Sequence, residues 1–240
     1  MNIASWFRRL STLALSILLS LTIFSAPANA LITENYKTLL ETKACVNCDL
    51  SGEDLSGLDL YRAALAGANL SKANLSDSLL IEANLEKATL TGADLSGAIL
   101  SSSRLSEANL IGADLSNADL YNAFMIKADL TGANLTEADL TSAVISEAKL
   151  SNAVVKSAKL QGAILSGSDL LNADFSSSKM RNTKLSKANL RCTNFYAADL
   201  LKSLMPDGTT YNGNASQFDA CQAEEGCKIT NLCPPPESIP

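Results

Sequence analysis

The sequence of 240 residues contains no histidine and only one tryptophan, Trp6, and aromatic residues make up 5% of it. Without histidine the chain lacks the most frequent general base and metal ligand of proteins. Proline is missing between Pro27 and Pro206, so every backbone amide across that stretch can donate a hydrogen bond. The formal net charge of −6 gives no sign of a basic nucleic-acid-binding surface. What remains is a chain rich in Ala and Leu.

The N-terminal residues 1–30 have the parts of a secretory signal peptide. Arg8 and Arg9 supply a positive start, an apolar run follows, and small residues precede a cleavage site after Ala30. An uncleaved N-terminal anchor is the alternative. No later apolar stretch is long enough to cross a bilayer. We therefore expect export and, after signal cleavage, a mature chain without a membrane span.

A five-residue repeat runs through residues 46–205. A large apolar residue, almost always Leu, stands at the centre of each repeat, Ala commonly lies two residues earlier, and Asn or Asp often lies between them. On a helix these leucines would turn by about 140° per step, and on a straight strand they would alternate between faces. Only a chain that turns a corner in every repeat keeps each Leu inside. Four repeats then close a square coil of about twenty residues, and coils stack at about 4.8 Å.

Glycine supports this interpretation. Nine of the twelve glycines lie within the repeats, each two residues after the central residue, and several asparagines share that position. Glycine and asparagine tolerate a positive φ, so this position is predicted to be the corner. The sequence thus predicts an all-β solenoid of about eight coils.

These A-(N/D)-L-x-x runs resemble the pentapeptide-repeat family. The resemblance implies a right-handed quadrilateral β-helix. The start of the repeats, LLETKACVNCDLSGEDLSGLDL, further resembles exported members from cyanobacteria and from the thylakoid lumen of plastids. A periplasmic or thylakoid-lumenal location is therefore expected.

Both ends of a solenoid need covering, because each coil contacts only its neighbours. We expect a short helical cap at the N-terminus within residues 31–45, with a helix over residues 33–44. Residues 206–240 carry no repeat and are expected to form a cysteine-containing C-terminal cap and tail.

The six cysteines fall into two groups at opposite ends of the repeats. An exported protein meets oxidising conditions, so disulfides are expected. Cys45 and Cys48 either pair with each other or stay reduced as small buried residues. The other four allow three connectivities, and at least one disulfide is expected among them: Cys192, Cys221, Cys227 and Cys233. A metal site is disfavoured, because C-x-x-C lacks further ligands nearby.

Three outward apolar residues form the candidate interaction surface. Phe124, Val144 and Ile164 are twenty residues apart and therefore stack on one side of successive coils. Exposed apolar ladders indicate a contact surface. Alternatively, the C-terminal segment folds back over them, or they only support the β-ladder. Charge is also uneven, with a net of −9 over residues 31–145 and +5 over residues 146–203.

The pattern favours a non-enzymatic, exported structural or interaction scaffold, without catalytic, cofactor-binding or metal-binding residues. Its partner is an unknown protein rather than a nucleic acid, and it is a monomer or an end-to-end dimer. A first alternative, which the family resemblance implies, is a DNA mimic that inhibits a DNA-binding enzyme such as gyrase. The export signal and the basic C-terminal half disfavour it. A second alternative, an enzyme or redox protein, would need a pocket under a cap or the Cys45/Cys48 pair.

Overall fold

The computed structural model describes residues 34–213. The predicted signal peptide, residues 1–30, and residues 214–240 of the predicted C-terminal cap lie outside the described residues. The described part begins with helix α1, Glu34–Thr42. Leu39 of α1 is completely buried and belongs to the hydrophobic core. The helix ends where Lys43 adopts a positive φ of 53°, a common helix terminator, and Lys43 donates its amide to the Leu39 carbonyl at 2.8 Å.

Coils of twenty residues follow the helix. Parallel β-bridges join outward residues that are twenty positions apart, from Ala44↔Ala64 to Lys184↔Leu204. Residues linked in this way form a column along the stack of coils. Each bridge stands alone, so the described residues contain no strand longer than one bridging position. Four bridges per coil give the stack four sides. We number these faces by their bridging residues: face 1 runs from 44 to 204, face 2 from 49 to 189, face 3 from 54 to 194 and face 4 from 59 to 199.

The corners all share one backbone conformation. At every fifth residue from Asn47 to Lys202 the chain has a positive φ, and the residue after it donates back across the turn in most repeats, as Ala63 does to Leu60 at 2.9 Å. This is the geometry of a type II turn. The corner positions include Lys, Glu, Ser and Arg as well as Gly and Asn. A second backbone bond holds them: Glu82, for example, donates its amide to Ser101 of the next coil at 3.0 Å.

Leucine and alanine fill the interior as the repeat predicts. The central residues, such as Leu90, are 0–3% exposed except Leu190, and most residues two positions earlier are buried Ala. The larger rings of Phe175 and Phe195 stack in neighbouring coils with their centroids 5.6 Å apart. Where Ser or Thr replaces the inner Ala, its hydroxyl usually donates to a backbone carbonyl, as Thr183 does to Leu160 at 2.9 Å. Small polar residues are therefore accommodated without leaving the core.

The last coil ends in a reversal of the chain. After Met205 the chain turns through Gly208, which donates its amide to the Met205 carbonyl at 3.0 Å. Thr210 then forms an antiparallel bridge with Leu204, the last residue of face 1. The chain itself thus pairs with part of the exposed backbone edge of the last coil.

Candidate interaction surface

Most outward bridging residues have a structural task at the corner that follows them. An Asp or Asn side chain at this position accepts a hydrogen bond from the amide two residues later, as Asp129 does from Thr131 at 3.1 Å. Eighteen repeats contain this bond. Short Asp and Asn side chains stabilise turns in this way. The Asn and Asp of the repeat are therefore explained by turn stability.

The same hydrogen bonds affect the ionisation of the corner carboxylates Asp54 and Asp129. Burial of Asp129 would raise its pKa, but hydrogen bonds from Thr131 and Lys149, and the Lys149 charge, bring the pKa below its ordinary value. For Asp54 the largest cause is the hydrogen bond from the Ser56 hydroxyl, which also lowers the pKa. A general acid at neutral pH needs the opposite shift. Asp54 and Asp129 therefore stay ionised at neutral pH and hold their turns.

Face 1 departs from this arrangement. Among its bridging residues only Asn84 is an Asn or Asp, whereas faces 2 and 3 carry Asn or Asp in most coils. Six successive coils of face 1 lack a side chain that can accept the corner bond. Their bridging residues are Arg104, Phe124, Val144, Ile164, Lys184 and Leu204. On this face, apolar and cationic side chains occupy the positions that corner-stabilising Asp and Asn occupy on faces 2 and 3.

The apolar ladder lies in the middle of face 1. Phe124 bridges Val144, and Val144 bridges Ile164. Phe124 is 38% exposed, and the corners of its own coil add Tyr121 at 51% and Ile126 at 37%. We define the apolar ladder as these five residues. Sequence reasoning from the bridging column missed Tyr121 and Ile126, although both are large apolar residues within three positions of Phe124.

A shallow groove precedes Phe124 on the same face. Its volume is about 500 Å³, and the residues that line it are Arg62, Ala64, Glu82, Asn84, Ser102, Arg104 and Phe124. Arg62 forms an ion pair with Glu82 at 2.7 Å, and Arg104 lies 3.6 Å from Glu86. The groove therefore already contains paired charges and ends at an aromatic ring.

A cluster of cations follows the apolar ladder. Lys184 bridges Ile164. Arg181 and Lys187 lie at the two corners that flank Lys184, and Lys202 lies in the next coil. Arg181 pairs with Asp199 of face 4. Lys184, Lys187 and Lys202 have no carboxylate within ion-pair distance among residues 34–213. We refer to these three lysines as the lysine cluster.

The described cysteines are bonded. Cys45 and Cys48 form a disulfide across the first corner, with their Cα atoms 5.4 Å apart. They occupy the two inward positions that Leu and Ala fill elsewhere, and Cys45 is 5% exposed. Cys192 is also disulfide-bonded, and Cys221, Cys227 and Cys233 lie outside the described residues.

No cluster of potential metal ligands occurs within residues 34–213, and no helix there is long and apolar enough to cross a membrane.

Comparisons with known proteins agree with the repeat. The model of the pentapeptide-repeat family matches overlapping stretches from residue 45 to residue 203. No curated protein matches the sequence.

Several solved structures are similar to this chain. HetL, a pentapeptide repeat protein involved in heterocyst differentiation regulation from the cyanobacterium Nostoc sp. strain PCC 7120, is 33% identical. That match covers 70% of this chain and 89% of HetL, with a TM-score of 0.36. A pentapeptide repeat protein from the Arabidopsis thaliana thylakoid lumen is 41% identical over 40% of this chain and 66% of that protein, with a TM-score of 0.39. QnrB1, a plasmid-mediated fluoroquinolone resistance protein, is 20% identical over 72% of this chain and 91% of its own, with a TM-score of 0.42.

The family model spans well over half of the sequence, and the residues it matches are those that form the corners and bridges. Proteins of this family form right-handed quadrilateral β-helices and are generally not enzymes. The chain belongs to the pentapeptide-repeat family.

Proposed function

We propose that this protein is an exported, non-enzymatic scaffold that binds a partner protein through the apolar ladder of face 1. The observation that carries the proposal is that six successive coils of this face have no corner-stabilising Asp or Asn at the bridging position. A hydrogen bond of this kind contributes about 0.5–1.5 kcal/mol. If only turn stability mattered, Asp or Asn would be favoured at these bridging positions, as on faces 2 and 3. A contact between the apolar and cationic residues of face 1 and a partner explains their presence better than turn stability does.

The exposure of the ladder supports the same conclusion. Tyr121, Phe124 and Ile126 lie in one coil, and each is more than a third exposed. Aromatic residues are enriched at the centres of protein–protein interfaces. The other outward apolar pair, Leu79 and Ile99 on face 4, contains no aromatic bridging residue, whereas Phe124 is itself a bridging residue of face 1.

Export to the periplasm or the thylakoid lumen is part of the proposal. Residues 1–30 carry the pattern of a signal peptide, and the described cysteines are disulfide-bonded, as is usual in oxidising compartments. The similar Arabidopsis protein comes from the thylakoid lumen. We assign the end caps to residues 31–45, which include α1, and to residues 206–240.

Site-specific photo-crosslinking in the native organism tests this function. A photoreactive amino acid replaces Val144 on face 1 or, as the control, Ile99 on face 4, in otherwise identical full-length chains. We expect one protein to be captured from Val144 and not from Ile99, and to be lost when Phe124→Glu is added. Equal capture from both positions, or capture that Phe124→Glu leaves unchanged, would show that the apolar ladder is not the binding surface.

A protease-protection assay on isolated membranes and lumenal fractions tests the location separately. We expect the mature chain to be protected until the compartment is opened. Recovery in the cytoplasm with residues 1–30 still attached would contradict export.

A further inference from the structure

We propose that the occupant of face 1 is an extended, acidic segment of the partner protein, lying along the axis of the coils. Its apolar side chains contact the apolar ladder, and its carboxylates contact the lysine cluster. This inference rests on the proposed function, because it uses the same face. It adds the shape and the charge of the partner.

The dimensions of face 1 favour an extended segment over a folded surface. From Ala64 to Leu204 the face contains seven coil-to-coil steps, which at about 4.8 Å each make a strip about 34 Å long. Three residues between corners make it about 10 Å wide. Such a strip offers roughly 340 Å², whereas a typical folded partner covers about 800 Å² on each side. An extended segment of about ten residues, at about 3.3 Å per residue, matches the length.

The charge of face 1 favours an acidic segment. Its bridging column contains no carboxylate, whereas the columns of faces 2, 3 and 4 contain three, four and four aspartates. The four glutamates at the adjoining corners each form an ion pair: Glu82–Arg62, Glu86–Arg104, Glu107–Lys87 and Glu147–Lys127.

The lysine cluster has no such partners within residues 34–213. Asp207 lies at the next corner, twenty residues after Lys187, but its carboxylate accepts hydrogen bonds from Thr209 and forms no ion pair with a lysine of the described part. The three lysines therefore leave an excess of positive charge at one end of the strip, beyond Ile164. Complementary potentials of this kind fix the register and the partner of an interface. An occupant with carboxylates at this end and apolar side chains beside Val144 would satisfy both parts of the face.

A protein segment fits this surface better than an anionic membrane does. Only Tyr121, Phe124 and Ile126 of the apolar ladder are more than a third exposed, and all three lie in one coil. Val144 and Ile164 are only partly exposed, so the ladder offers few side chains to the acyl region of a bilayer. Interfacial membrane binding depends on burying apolar side chains several ångströms deep. A shallow ladder is suited to side chains that come from the other partner.

Fluorescence anisotropy with a defined peptide tests the inference. The probe is a labelled peptide of about twelve residues, with Leu at alternate positions in one half, Glu at alternate positions in the other and Ser between them. It is used in both chain directions with the full mature protein. The matched peptides replace Glu by Lys, or Leu by Ser. We expect the acidic–apolar peptide to bind, and each replacement to weaken binding at least about tenfold.

Charge reversal places the binding on the protein. Lys184→Glu/Lys187→Glu should weaken peptide binding at least about tenfold. The matched control, Lys72→Glu/Lys179→Glu, makes the same change of charge away from face 1, at two lysines that also lack an ion pair within the described residues. It should change binding less than about twofold. Circular dichroism spectra of both variants verify that they fold.

Four results would overturn the inference. The first is equal binding of the Lys-containing peptide, and the second is an equal effect of the two charge reversals. The third is binding to phosphatidylglycerol vesicles without any peptide binding, which would identify a membrane as the occupant. The fourth is an increase in peptide affinity of about tenfold or more in the variant Glu224→Lys/Glu225→Lys. That result would identify the chain's own C-terminal segment as the occupant of face 1. None of these affects the crosslinking result from Val144, so failure of the inference and failure of the proposed function are distinguishable.

Discussion

Replacing Leu90 by lysine tests the inside–outside assignment of the repeat. Leu90 is completely buried in the interior of the stack, its amide donates to Asn109 at 2.7 Å, and its carbonyl accepts from Ala93 at 3.0 Å. The backbone is therefore fixed, and the side chain cannot leave the interior without breaking bonds to the next coil. Thr89, one residue earlier, is a bridging residue of face 2 and points outward.

The expected loss at Leu90 is large. Truncation of a buried leucine to alanine costs about 2–5 kcal/mol. A lysine at the same place loses that contribution and adds several kcal/mol for an ammonium group without a partner. Since a domain is stable by about 5–15 kcal/mol in total, Leu90→Lys should remove cooperative unfolding. Thr89→Lys adds the same charge at the surface and should change the free energy of unfolding by no more than about 0.5 kcal/mol.

Urea and thermal denaturation, followed by far-ultraviolet circular dichroism, compare the two variants with the wild type. Leu90→Ala is an uncharged intermediate that should still unfold cooperatively at a lower midpoint. If Leu90→Lys melts within a few degrees of Thr89→Lys, the interior assignment of the central residue is wrong.

Three further predictions concern a turn, the disulfide of the first corner and a ring in the interior. Asp129→Asn should lower the urea midpoint at pH 7, and the deficit should shrink as the pH falls below about 4. The folded-state pKa of Asp129 lies below its ordinary value, so the ionised carboxylate stabilises the protein above that range and is lost on protonation. Cys45→Ser/Cys48→Ser should cost at most about 2 kcal/mol and speed hydrogen exchange at the first corner but not in mid-stack. Phe175→Ala, which removes the stacked ring, should cost about 3–5 kcal/mol in the same denaturation assay.

Outward position does not by itself make a residue dispensable in this fold. Asp129 points away from the core, yet it accepts bonds from Thr131 and forms an ion pair with Lys149 at 3.1 Å. Thr89 forms no such side-chain bond among the described contacts, which makes it the better surface control. Whether an outward residue contributes to stability therefore depends partly on the residue twenty positions away, and amino-acid composition does not show that pairing.

The repeat also shows how a left-handed corner is tolerated by ordinary residues. Glycine at the corner was the sequence signal, but Glu82, Lys87 and Ser102 adopt the same positive φ of 56–59°. A left-handed residue costs roughly 1–2 kcal/mol. Corner amides that donate to the next coil, as Lys87 does to Ser106 at 3.0 Å, offset that cost. Glycine marks the corner in sequence, whereas stacking of the coils enforces it.

The sequence alone determined the architecture of this protein. A five-residue period in Leu, with glycine confined to one position and proline missing, has one solution that buries every Leu, and the bridges at twenty-residue spacing confirm it. The stacking of Phe124, Val144 and Ile164 followed from the same arithmetic. The repeat pattern was sufficient to predict the fold, because each coil contacts only the coils before and after it.

The tertiary structure alone decided which outward residues form a common surface. Tyr121 and Ile126 join Phe124 because the corners of one coil flank its bridging residue, and the ion pairs Arg62–Glu82 and Lys127–Glu147 remove those glutamates from the charge balance of face 1. The lysine cluster stands out only after that pairing is known. Side chains twenty residues apart become neighbours when four repeats close a coil, so charge and exposure depend on the closed coils rather than on the order of the residues.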